Sequence, residues 1–156
     1  PRTIAVGENV DDLLAQNDFT REDIISAYLI SGSYEVTEFA HDHDWTIEGT
    51  VTVERTDIGG AGPVLLFEYE NISLESELGS KNYVTLHEDG IALVNAALAD
   101  WIAGSDPVLQ LTVVSDEGVT PGPTPADPLS FTWEACLYIQ VTATFDTEMF
   151  TFIGGE

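Results

Sequence analysis

A chain of 156 residues is about the size of one domain and can bury roughly two-thirds of the surface its unfolded form exposes. With 44% hydrophobic and 10% aromatic residues, it lies outside the low-hydrophobicity class of disordered chains. Twenty-eight acids against four basic residues (Arg2, Arg21, Arg55 and Lys81) give a formal net charge of −24. That balance excludes functions that need clustered Lys and Arg, namely nucleic-acid binding and attachment to anionic lipid.

In chain order, the first periodic segment is VDDLLAQN (Val10 to Asn17), which fits a short helix. TREDIISAYLI then opens with Thr-x-x-Asp, a variant of the capping box, and sets Ile24, Ala27 and Tyr28 on one helical face. A second short helix is predicted there, stopped by Ser31-Gly32-Ser33, so residues 1–32 read as an N-terminal helical or extended segment. The period then changes to two. SYEVTEF, WTIEGTVTVER and GPVLLFEYEN are rich in Val, Thr and aromatics and read as strands, with DIGGAGP turning between the second and third. In GIALVNAALADWIAG the apolar residues return at helical spacing, predicting a helix at about 90–103 with Asp89 as N-cap and Gly104 at its C-terminal end.

Strand-like VLQLTVV (Val108 to Val114) leads into a proline-rich loop at 115–128, an excursion between strands with too few residues beyond it for a second domain. From Leu129 to Phe145 every odd position is apolar and the even ones are mostly polar, the mark of a strand with one face on a core and one in water. MFTFI is predicted as a last strand. The expected fold is mainly β, an antiparallel sandwich or open barrel over one domain, 1–156, with one or two short N-terminal helices and one amphipathic helix that covers an open end or one face.

Self-repulsion at this charge density is relieved by screening, because the Debye length falls from about 10 Å at 0.1 M to about 3 Å at 1 M salt. A protein that works in concentrated salt is expected, from a halophile, a virus of one, or a marine source. Cys136 is alone, which excludes an intrachain disulfide, and its place in an alternating strand predicts a small buried or half-buried residue. PRTIAVGENVDD holds no apolar stretch of signal-peptide length, and no segment approaches the roughly 18 apolar residues of a membrane span. The expectation is a chain made and folded in a cytoplasm.

Chemistry is sparse. AHDHDWTIEG has the His-x-His-x4-Glu spacing that resembles the first metal-binding motif of the cupin family, small β-barrels that hold a metal with two histidines, a glutamate and a later histidine. The resemblance implies a metal set of His41, His43, Glu48 and His87, suited to Fe, Mn, Ni or Zn. The glycines that flank the family's first motif are absent here, and so is the Pro-x-Gly before its last histidine. In a strand, moreover, His41, His43, Trp45 and Ile47 point one way and Glu48 the other, so an exposed approach to a strand beginning at Trp45 is the simpler reading. No Gly-x-Ser-x-Gly elbow, phosphate-cradling glycine loop or Cys-x-x-Cys pair occurs, and paired carboxylates are expected by chance at this acid content. Asn71-Ile72-Ser73 has the form of an N-glycosylation acceptor.

The order of an amphipathic helix, then VLQLTVVSD, then a long alternating hairpin ending FTFIGG resembles the small β-sandwich proteins of tailed-virus particles, the head-decoration and tail-tube subunits. Carried by pattern over residues 90–154, the resemblance implies a virion structural protein, head-decoration or capsid-stabilising ahead of tail-tube. Such a protein needs no catalytic residue or cofactor, and its partners are capsid or tail subunits and copies of itself. Interface hot spots favour desolvated aromatics, which makes Phe19, Tyr28, Tyr34, Phe39, Phe150 and Phe152 the contact candidates. A carbohydrate- or ligand-binding sandwich is the other open reading; it needs exposed aromatics on one sheet face, for which Trp45 and Tyr138 are the choices.

Overall fold

The described period-two segments form strands, and two of the three predicted helical segments form helices, in a computed structural model that describes residues 2–40, 44–59, 62–119 and 130–144. The described strands are β1 (Arg2–Ala5), β2 (Ile24–Phe39), β3 (Thr46–Arg55), β4 (Val64–Ser73), β5 (Lys81–Val84), β6 (Val108–Val119) and β7 (Phe131–Ala143). The helices are α1 (Val6–Ala15) and α2 (Glu88–Ile102). One antiparallel sheet has the order β1-β6-β3-β4 and the other β5-β2-β7. The fold is therefore mainly β and sandwich-like, as expected. No helix among the described residues is long and apolar enough to cross a membrane.

Helix α2 is what the sequence predicts, displaced by two residues at its start. Val94, Ala97, Leu98 and Trp101 recur at helical spacing and are buried, each large side chain contributing about 1.5–3 kcal/mol. His87 rather than Asp89 occupies the N-cap, because its N–H is held by Leu66 O of β4 at 2.9 Å and fixes where the chain turns helical. Gly104 ends the helix at φ +99°, a conformation open to glycine. The helix lies against β2 on one side and β3 and β4 on the other, and Asn95 Oδ1 accepts the N–H of Leu29 at 2.8 Å.

The predicted helix from Thr20 is a strand. Asp23 does take the Thr20 N–H and hydroxyl, at 2.8 and 2.7 Å, and those bonds hold its carboxyl below the ordinary range. The box closes only one 3-10 turn, Arg21–Asp23, before β2 begins. Ile24 and Ile25 are β-branched, and β2 pairs with β7 from Ile24↔Ala143 to Phe39↔Phe131, so long-range pairing overrides the local helical period. Ser31-Gly32-Ser33 lies inside that strand instead of stopping a helix. Strand β6 runs on to Val119, which takes 115–119 out of the expected loop; the rest of that loop and MFTFI lie outside the described residues. Strands β1 and β5, four residues each, are too short to show a period in the sequence.

The core lies between the sheets. Val36 of β2, Val53 of β3 and Leu66 of β4 are almost wholly buried, and Trp133, Leu137 and Ile139, odd residues of β7, pack against them. Cys136, expected inside, is exposed because it is an even residue of the same strand. Gly49 lets β3 and β6 approach: a Cβ there would lie 2.1 Å from Val114 O and 2.5 Å from the Tyr69 hydroxyl.

Candidate interaction face and intersheet cavity

The predicted metal set does not assemble among the described residues. His41 and His43 lie outside them. Glu48 is an exposed residue of β3, and His87 Nε2 stands 3.8 Å from Glu68 Oε2. No group of three or more His, Cys, Asp or Glu able to hold a metal occurs among the described residues. Asp44 of the same motif has a structural task. Burial pushes its carboxyl up, but the Ser73 hydroxyl at 2.6 Å and the Glu75 N–H at 3.0 Å outweigh that and hold it below the ordinary range. It organises the turn after β4.

The contact candidates divide by strand face. Tyr34 is buried at 7% exposure with its ring 6.3 Å from that of Trp133, so it belongs to the core. Phe19 and Phe39 are half-buried against the core, and Phe150 and Phe152 lie outside the described residues. Tyr28 is 54% exposed on the outer face of β2. Trp45, the first ligand-stacking choice, is buried; Tyr138 is half-buried on the outer face of β7.

Residues that the pattern did not single out complete that outer face. Ile25, Ile30 and Tyr83 are 60%, 59% and 70% exposed. Ile25 and Ile30 sit at β-bulges of β2, which break strict alternation, and Tyr83 lies on short β5. The Tyr83 and Tyr138 rings are 6.1 Å apart over buried Ser33, whose hydroxyl is 3.0 Å from that of Tyr138. One signal was available: neither Ile24 to Tyr34 nor Ala135 to Ala143 contains a charged residue, in a chain of net charge −24. The other sheet is the reverse, its outer face presenting Glu48, Glu54, Glu68 and Glu70 among threonines. One face is acidic, and the other has a charge-free, apolar and aromatic stretch bordered by Lys81 and Glu134.

Between the sheets a cavity of about 570 Å³ remains, open to one side. Its floor is Val51, Val53 and Leu111 of the four-stranded sheet, its roof is Leu137 and Ile139 of β7, and α1 and α2 bound it. Every described side chain lining it is apolar. Its apolar lining is the chemistry that small-molecule pockets commonly present. Comparison of the chain with protein-family models, with curated proteins and with solved structures finds no match.

Proposed function

We propose that the protein is a structural subunit of a tailed-virus particle, head-decoration or capsid-stabilising ahead of tail-tube, that acts through protein contacts in concentrated salt. The observation that carries this reading is the charge-free part of the outer face of the β5-β2-β7 sheet, Ile24 to Tyr34 of β2 beside Ala135 to Ala143 of β7, with Ile25, Tyr28 and Ile30 more than half exposed there and Tyr83 of β5 at its end. Contiguous apolar surface of this kind marks interaction sites in proteins that otherwise keep such side chains inside. The acidic outer face of the other sheet keeps assembled particles apart and soluble. Sedimentation velocity from dilute buffer to several molar salt tests the reading. Discrete oligomers are expected as salt rises, and Ile30→Asp is expected to return them to monomers without unfolding the chain. A native chain that stays monomeric at every salt and protein concentration, and that fails to bind a capsid lattice, overturns it.

The neighbouring rings of Tyr83 and Tyr138 favour one second reading, a carbohydrate-binding face. Glycan-array binding lost in Tyr83→Ala and kept in Ile30→Asp would select it over assembly.

A further inference from the structure

We propose that the intersheet cavity is a binding site for a neutral, elongated apolar molecule, a hydrocarbon or isoprenoid chain without a charged headgroup. Size comes first: about 570 Å³ falls within the range of small-molecule pockets, about 300–1,000 Å³. Shape is set by the lining. The β7 residues that face the cavity run from Trp133 to Ile139, about 20 Å of strand at about 3.3 Å per residue, so the space is a slot along the strand. Trp133 closes one end, its ring 5.9 Å from that of Tyr69 across the cleft.

Chemical class is set by charge. No described side chain lining the slot is charged, so none of the described side chains there offers a carboxylate or phosphate an ion pair. Arg55 is engaged by Asp57 and Asp100, Arg21 by Asp106, and Lys81 lies on the outer side by Tyr138. An anionic headgroup would also meet the field of the surrounding acids. Among the described strands, β7 and the β1-β6 edge belong to different sheets and share no ladder, whereas β4 and β5 are in contact.

The test uses the full chain and the neutral dye N-phenyl-1-naphthylamine, whose fluorescence rises in apolar surroundings. Saturable uptake is expected, with displacement by hexadecanol and not by hexadecanoate. Ala135→Trp, which fills the slot from β7, is expected to weaken uptake by about tenfold or more while the thermal midpoint holds or rises. Ile30→Asp on the outer face is expected to leave uptake unchanged, which separates this site from the proposed assembly contact. Absence of uptake overturns the proposal. So does uptake indifferent to Ala135→Trp, or displacement by hexadecanoate as effective as by hexadecanol.

Discussion

Arg55 is the single substitution that tests most of the fold's electrostatics. Of the basic residues whose side chains are described, Arg55 is the buried one, its side chain 6% exposed at the end of β3. Its Nε donates to Asp57 Oδ1 at 2.9 Å, its Nη2 to Asp57 Oδ2, and its Nη1 to Asp100 Oδ2 at 2.7 Å. Asp57 Oδ1 also accepts the N–H of Val108 at 3.0 Å, so this cluster joins the end of β3, the start of β6 and the last turns of α2. Arg55→Met keeps the apolar stem and removes the fork. Asp100 is half-exposed and its bond is discounted for solvent. The two bonds to the better-shielded Asp57, and the repulsion left between the two carboxylates, make the loss about 3 kcal/mol.

Urea unfolding followed by tryptophan fluorescence measures that loss, and a thermal midpoint lower by about 6–12 °C should accompany it at about 2–4 °C per kcal/mol. Asp57 fixes the sign of the pH dependence. The bonds from Arg55 hold its carboxyl well below the ordinary carboxylate range, so its contribution is present above the unfolded value of about 3.9 and lost as pH falls through the folded one. The gap between native and variant protein should therefore be full at neutral pH and shrink on acidification below about pH 4. A gap under about 1 kcal/mol at pH 7, or one that does not change with acid, would refute the reasoning.

Three further outcomes are expected. The urea midpoint should rise between dilute buffer and about 1 M salt as screening relieves the acid surface, and a flat midpoint would remove the case for a salt-adapted chain. Gly49→Ala should cost about 3 kcal/mol, since its methyl meets Val114 O and displaces the Tyr69 hydroxyl from its 3.3 Å bond to that oxygen; equilibrium unfolding within about 0.5 kcal/mol of native would mean that the strands separate freely there. Trp101→Phe should cost about 1 kcal/mol and Trp101→Ala about 4, because the indole Nε1 finds no hydrogen-bond partner among the described residues and what is lost is packing together with the contact of the Arg21 guanidinium, whose Cζ lies 5.0 Å from the ring centroid. Equal losses in the two variants would show that the indole N–H is bonded.

Sequence reveals whatever one element decides alone. Helix α2 carries its own stripe of Val94, Leu98 and Trp101 with Gly104 to stop it, and β7 carries its own alternation. Strand β2 is different. Its opening box at Thr20 and Asp23 is real and local, but thirteen register pairs with β7, more than 90 residues away for the most part, decide the course of the chain beyond it. Its three bulges also shift which residues face out, so Tyr28 is exposed and Tyr34 buried although both are even positions. The cavity leaves no mark in the sequence: each of its walls looks like ordinary core, and only the spacing of the two sheets leaves them apart.

The size of the neutral face bears on what kind of assembly it can support. Strands β2 and β7, about 4.8 Å apart and running the roughly 26 Å from Ile25 to Ser33, with β5 beside only the end of that stretch, give about 250 Å² of plan area. A standard stable interface covers about 800 Å² per partner, so one such contact is a weak one. Charge weakens it further, because two protomers that approach by their neutral faces still bring together two chains of net charge −24. Screening removes most of that repulsion in concentrated salt and leaves the apolar contact, which salt does not weaken. The geometry therefore favours a subunit that is held by several modest contacts at once, as on a repeating lattice, over one that forms a tight isolated dimer. On the proposed reading, a single copy dissociates readily in dilute buffer, whereas a lattice that engages several copies retains them, and the loss of any one aromatic costs far more on the lattice than between two free protomers.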